Sequence, residues 1–171
     1  MAVLVLADHD LATLSPATAR VVAAAAELGP VEVLVAGEGV DRVAMAVAEI
    51  AGVAKVRVAQ DVAMASQSAE VLADLIAAIA EPYSHIIAGS TSVGRDVIPR
   101  LAAKLDLMPV TDVVAILGPN RFERPIYAGN AIEAVASGQA KHLLTVRASA
   151  FRPASKGNLS LIHISEPTRP Y

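Results

Sequence analysis

The sequence predicts an α/β fold built on a mostly parallel sheet, and two observations carry that expectation. Over residues 1–105 the apolar pattern switches repeatedly between continuous β-prone runs and helical spacing. Capping or breaking residues such as Ser15-Pro16, Gly29-Pro30, Gly52 and Glu81-Pro82 fall at the switches. Strands and helices alternating in this way make parallel βαβ units, with right-handed crossovers and helices on both faces of the sheet.

The first strand is Met1–Ala7, an unbroken apolar run suited to burial on both faces. Ser15 caps a helix over Ala17–Leu28, with Pro16 at its first position. Val31–Ala36 is the second strand, and Gly37-Glu38-Gly39 the loop after it. Val43, Val47 and Ile50 mark a helix over Val40–Ala51. Lys55–Ala59 alternates as a third strand. Ala69, Leu72, Leu75, Ile76 and Ile79 place the next helix over Ala65–Ala80. A fourth strand, Ser84–Ala88, and a fourth helix, Asp96–Leu105, complete the alternation. Pro99 falls inside that helical pattern, so the helix should start or kink there, or else hold the proline in its first turn. After Pro109 the pattern changes to strands at Asp112–Leu117, Phe122–Ala128, Ile132–Ala136 and His142–Ala148, separated by Gly, Pro and Asn turns. These are expected as antiparallel additions to the parallel set. Pro153–Gly157 reads as the start of a flexible linker. Asn158–Tyr171 drops the Ala/Val-rich habit, and its one possible strand, Leu159–Ile164, has no evident partner.

Composition narrows the function classes. A length of 171 residues suits one domain. Alanine occupies 35 positions and aromatics only 3%, so the core is aliphatic and the helices pack closely. With no cysteine there is no disulfide scaffold, thiolate zinc site, iron–sulfur cluster or Cys nucleophile. The formal charge of -3 gives no electrostatic footprint for nucleic acid. Met1–Ala7 falls far short of the ~20 apolar residues that span a bilayer, and no basic segment precedes it. A globular, cytoplasmic domain is the expectation.

The richest candidate site is the turn Ala88-Gly-Ser-Thr-Ser-Val-Gly-Arg-Asp96. Gly89, Ser90, Thr91, Ser92, Gly94 and Arg95 meet at a helix N-terminus beyond a strand's carboxyl end, a combination suited to a phosphate or other anion. The spacing matches neither dinucleotide nor P-loop signatures. Equally, Ser90 and Ser92 serve as caps, Gly89 and Gly94 as close-packing residues, and Arg95 and Asp96 as a pair for a partner protein. Asp8-His9-Asp10 ends the first strand, with Asp8 and His9 a base or metal pair, or the whole turn a solvated loop. His85, His142 and His163 fall on strand-like segments, where core or edge positions are expected. No G-x-S-x-G or H-E-x-x-H grouping is present, and no paired carboxylates stand at a recognisable spacing.

Several stretches together resemble the N-terminal domain of the electron transfer flavoprotein alpha subunit. His85–Asp106 is similar to that family's strand, small-residue turn and helix carrying a proline, an arginine and Ala-Ala-x-Leu. Pro109–Ile116 is similar to its Ser/Thr-Asp pair and β run. Arg124-Pro-Ile-Tyr-Ala-Gly-Asn-Ala131 resembles the family's Arg-x-x-Tyr-Ala-Gly-Asn-Ala signature, and Leu144-Thr-Val-Arg147 followed by Phe151 keeps the family's order. The resemblance covers about residues 1–154.

The resemblance implies a three-layer, Rossmann-like sandwich of the adenine nucleotide alpha hydrolase-like kind over residues 1–152. It implies a heterodimer with an electron transfer flavoprotein beta subunit. Such heterodimers carry electrons from flavin dehydrogenases, including the acyl-CoA dehydrogenases of fatty acid β-oxidation, to a membrane quinone reductase. FAD is held mainly by the alpha subunit's C-terminal domain, which this sequence does not reach. No FAD ligand is therefore carried over, and tight FAD binding by this segment alone is not expected. Neither is a catalytic residue, a metal or insertion into the membrane. Residues 153–171 are then expected to be a linker start and a foreign tail, in which SLIHISEPTRPY reads as translated sequencing adapter. The alternative is a stand-alone nucleotide-binding α/β domain that uses Gly89–Arg95.

Overall fold

A computed structural model describes residues 2–157 and 161–165. Strand–helix alternation runs as expected through β1 (Ala2–Leu6), α1 (Pro16–Ala26), β2 (Val31–Gly37), α2 (Asp41–Ala48), β3 (Val53–Gln60), α3 (Ala69–Ile79), β4 (Tyr83–Gly89) and α4 (Ser92–Leu105). The caps are the anticipated kind. Ser15 Oγ accepts from the Ala17 amide at 3.3 Å, with Pro16 first in α1, and Ser68 Oγ accepts from the Val71 amide at 3.4 Å. Ser68 therefore starts α3 later than the periodicity alone indicates. The residues before it form a short 3-10 turn, Val62–Met64, capped by Asp61.

The chain then continues through β5 (Pro109–Val113), β6 (Ala115–Gly118), β7 (Arg121–Ile126), β8 (Ala131–Ala136), β9 (His142–Val146) and β10 (Leu161–Ser165). The principal sheet has seven strands in the order β10-β3-β2-β1-β4-β9-β5, and every pairing in it is parallel. The antiparallel strands form a sheet of their own, β6-β7-β8. Two expectations change here. The strand at His142 does not join the antiparallel set; it inserts between β4 and β5, with His85 opposite His142. The strand expected over Asp112–Leu117 is two strands in two sheets, because Asp112 takes a left-handed φ of 61° and turns the chain out of the parallel sheet.

Side-chain alternation along the strands separates two cores. Val3, Val5, Val33 and Val35 face α1 and α2, against Val21, Val22, Val43 and Val47. Leu4, Leu6 and Leu34 face α3 and α4, against Leu72, Ile76, Ile98 and Leu101. Each fully buried Leu or Val contributes roughly 1.5–3 kcal/mol by removal from water. Beside α1 and α2, the three-stranded sheet covers the β4–β9–β5 half of the same face, and Phe122, fully buried, is its inward plug. Between β5 and β9 a β-meander thus stands where a crossover helix usually lies.

Pro99 is the eighth residue of α4. The helix begins seven residues before it, so Pro99 neither starts the helix nor lies in its first turn. The ring is on the exposed face. Residues 153–157 are tied down: Ala154 N donates to Ala19 O at 3.0 Å, Ala51 N to Ser155 O at 2.8 Å and Gly157 N to Glu49 O at 2.7 Å. The strand expected without a partner is β10, paired in parallel with β3 from Leu161 opposite Lys55 to Ser165 opposite Ala59. The rest of the expected tail, residues 158–160 and 166–171, lies outside the described residues, as do the side chains of β10.

Candidate functional site

Chain order reverses on either side of β1. The connection from β1 leads outward to β2 and β3, whereas β4 lies on the other flank. The crevice beyond the carboxyl ends of β1 and β4 is therefore the switch point where open α/β sheets take ligands. Both turns singled out in the sequence meet there, Asp8–Asp10 after β1 and Gly89–Arg95 after β4.

The second turn is built for close packing. Thr91 caps α4, its Oγ1 accepting from the Gly94 amide at 3.4 Å. Gly94 permits the helix to sit against the strand end: a Cβ there would lie 1.9 Å from the carbonyl oxygen of Gly89. The Ser90 amide donates to Val146 O at 2.8 Å, fixing the turn to β9. Ser92 and Arg95 are exposed on the first turn of the helix.

Two residues that the sequence reading did not select complete this corner, Asp112 on β5 and Arg147 after β9. Arg147 Nε donates to Asp112 Oδ1 at 3.2 Å, and Nη2 bonds Oδ2. The Asp112 amide in turn donates to Thr145 Oγ1 at 2.8 Å. The Arg147 hydrogen bonds hold the Asp112 carboxyl below the usual carboxylate range against the opposing effect of burial, with Ser90 and Arg95 adding to the stabilisation. Ser90 Oγ is buried and has no hydrogen bond of normal geometry; its effect on Asp112 is one of proximity. The sequence signals were the Thr111-Asp112 pair and an arginine at a strand end, but only the β5–β9 pairing brings them together.

The first turn closes on itself. Asp10 Oδ1 accepts from the Ala12 and Thr13 amides at 3.0 and 2.6 Å, and Thr13 Oγ1 donates to Oδ2 at 2.9 Å. Those bonds lower the Asp10 pKa. His9 is buried, Nδ1 accepting from the Leu11 amide at 3.1 Å, and burial lowers its pKa. With Asp8, Leu14, Ser15 and Pro16 these residues line a cleft of about 300 Å³. Among the described residues no three His, Asp or Glu side chains are grouped to hold a metal ion. Gly37 is a packing glycine, because a Cβ there would lie 2.7 Å from both Leu11 Cδ2 and Val40 Cγ1. His85 and His142 are core residues on paired strands; the side chain of His163 lies outside the described residues.

The Asp8–Asp10 turn, Gly94 and the Asp112–Arg147 pair do not fit the flavin dinucleotide that the resemblance implies for the complete complex. Asp8 and Asp10 have the same sign of charge as a diphosphate. The space that Gly94 leaves free is filled by the Gly89 carbonyl, and Arg147 is committed to Asp112. The corner holds a helix, a strand end and an ion pair in fixed relation.

The model of the electron transfer flavoprotein domain matches residues 3–164. The electron transfer flavoprotein subunit alpha of Pseudomonas aeruginosa is 44% identical over 170 residues, 98% of this chain and 55% of that protein. The Paracoccus denitrificans subunit alpha is 48% identical over 158 residues, 92% of this chain and 51% of its own length. A probable mitochondrial subunit alpha from Caenorhabditis elegans is 42% identical over 157 residues, 90% of this chain and 47% of its own. The chain spans about half the length of the curated relatives it matches.

Proposed function

The chain belongs to the electron transfer flavoprotein family, and from that premise we propose that it is the N-terminal scaffold and interface domain of an alpha subunit. In this reading it docks an electron transfer flavoprotein beta subunit in the cytoplasm. The heterodimer holds FAD mainly through the alpha subunit's other domain. It carries electrons from flavin dehydrogenases, such as acyl-CoA dehydrogenases, to a quinone reductase. The flavin supplies the redox chemistry when bound, and this domain supplies placement. It is a carrier component and not a catalyst. No described helix is long and apolar enough to cross a membrane.

One observation supports the docking role. Leu117, Tyr127 and Ile132 are 50%, 79% and 56% exposed, and all three belong to the three-stranded sheet or its β7–β8 turn. Register puts Ala115, Leu117, Pro125, Ile132 and Ala134 on the face opposite Phe122, an apolar patch pointing away from the core that Arg121 and Glu123 share. Tyr127 and Ala128 hold left-handed φ values of 50° and 53° in the turn, a strained way to present an aromatic ring. Co-expression with a beta subunit should give a one-to-one complex, weakened at least tenfold by Ile132→Asp. Failure to bind any beta subunit offered, with the chain remaining a well-behaved monomer, overturns the reading.

The switch-point position of Gly89, Ser90, Thr91, Ser92, Gly94 and Arg95 favours a second reading, a nucleotide or other anion bound at that turn. Thermal stabilisation by millimolar AMP, ATP or FAD supports it through mass action; no shift with any of them removes it.

A further inference from the structure

Four strands end the two sheets, β10 and β5 in the larger, β6 and β8 in the smaller. Natural edges are blunted by proline, irregular register, short length or charge, because a bare edge invites another strand. β5 opens with Pro109 and is bent at Asp112, where φ is 61°. β6 has four residues, its register slips between Ile116 and Gly118, and Pro119 follows it. β8 has none of these devices. It is the longest of the four, and its six residues pair with β7 in unbroken register from Ala131 opposite Ile126 to Ala136 opposite Arg121. It holds no proline and no lysine. Its single charge, Glu133, lies on the Phe122 side of the sheet, 4.0 Å from Arg124.

Two hydrogen bonds fix which way the β8 backbone points. Glu123 O accepts from Val114 N at 2.8 Å, so Glu123 faces β6 and its partner Ala134 faces away from β7. Ser137 N donates to Asn120 O at 2.9 Å, which turns the odd-numbered residues of β8 toward β7. The amides and carbonyls of Ile132, Ala134 and Ala136 therefore line the free edge. The same three side chains, all exposed, stand on the outward face, so edge and apolar patch meet along one strand. A strand laid on six residues of edge alone falls well short of the roughly 1,200 Å² that stable complexes bury. A second copy of this chain does not supply the rest. Even-numbered residues face outward in both copies, so antiparallel pairing puts the two-fold axis normal to the sheet. Both apolar patches then stay bare on the same side. A different chain, with an extended segment for the edge and a body for the face, covers both.

We propose, on the premise that a beta subunit docks on this layer, that it does so by strand addition: an extended segment of the beta subunit pairs with the free edge of β8 and lengthens the three-stranded sheet by one strand. Main-chain bonds to Ile132, Ala134 and Ala136 set the register, and the outward patch supplies the buried area. Alanine at 134 and 136 lets the incoming backbone approach without a bulky side chain in its way.

Amide hydrogen exchange of the full chain, alone and co-expressed with a beta subunit, tests this. The Ile132, Ala134 and Ala136 amides should exchange rapidly in the free chain and slow by about a hundredfold or more in the complex. Those of Glu133 and Val135, which already face β7, should change less. Ala134→Pro keeps a small apolar side chain on the face and removes an edge amide that β7 does not use. It should weaken the complex by about tenfold or more. Should that variant fail to fold, the wild-type exchange decides alone. A one-to-one complex whose three edge amides exchange as in the free chain overturns strand addition and leaves docking itself standing. Absence of any complex overturns both. Protection of the same amides in the chain alone, rising with its concentration, makes a second copy the occupant and overturns the proposal as well.

Discussion

Replacing Gly94 with alanine sets two effects of opposite sign against each other. Alanine in place of glycine within a helix contributes about 1 kcal/mol in favour of the helix. Against this, the new Cβ would lie 1.9 Å from the Gly89 carbonyl oxygen and 3.1 Å from Ala88 Cβ. A tolerable carbon–oxygen contact is about 3.3 Å, so strand and helix must part by roughly 1.4 Å. Neither gives easily. Gly89 is paired with Val146, and α4 is anchored by Val97, Ile98 and Leu101, each fully buried. Overpacking costs about 1–3 kcal/mol even where side chains adjust, and here the obstacle is backbone, so the upper end applies. The net loss is about 2 kcal/mol, equivalent to roughly 4–8 °C in Tm for a domain of this size. Urea unfolding followed by far-UV circular dichroism reads it. Gly138→Ala, where nothing lies within 4 Å of the added carbon, is the control and should stay within about 0.5 kcal/mol of wild type. A Gly94→Ala protein as stable as its parent would refute the account of that turn.

Other substitutions probe other joints. Phe122→Ala removes the plug between the two sheets and should cost about 3–5 kcal/mol in urea unfolding. Lys141 Nζ donates to the carbonyls of Ala80, Glu81 and Tyr83, closing the end of α3; Lys141→Met should lower the unfolding midpoint by an equivalent of about 1–3 kcal/mol. Asp112→Asn keeps a residue that tolerates left-handed φ while removing the charge. Because the Asp112 pKa is depressed in the folded state, its contribution is complete above about pH 4 and is lost as pH falls through the lowered value. The variant should therefore lose under about 1 kcal/mol at pH 7 and show a shallower decline of stability in acid, followed by thermal unfolding from pH 2 to 7.

The βαβ half of the molecule was legible because its signals are local. Ser15-Pro16, Gly29-Pro30 and the Val-rich runs act within a few residues of themselves, and the strands and helices formed where they indicate. What escaped depends on distant partners. By local pattern α4 starts at Asp96, because Ser92-Val-Gly-Arg95 reads as loop; the Thr91 cap and the fit of Gly94 against β4 make it helix. The break at Asp112 is held by Thr145 and Arg147, more than thirty residues away in sequence. Parallel insertion of β9 leaves no mark in its own periodicity, since a strand buried on both faces reads the same in either direction. At the candidate site the glycines and hydroxyls of Gly89–Arg95 announced themselves by composition. The ion pair that fixes the same corner did not, because topology alone makes Asp112 and Arg147 neighbours.

β1, first in chain order among the described strands, is the fourth of seven across the principal sheet. β2 and β3 follow within sixty residues and can zip onto one flank of β1 while synthesis continues. The other flank waits for β4, whose own outer edge waits in turn for β9, ending at Val146. Until β4 arrives one edge of β1 keeps its backbone donors and acceptors open, and from then until β9 arrives one edge of β4 does; long-range parallel pairing of this kind is slow to close. Nascent chains stalled before residue 142 should accordingly be the species that chaperones hold.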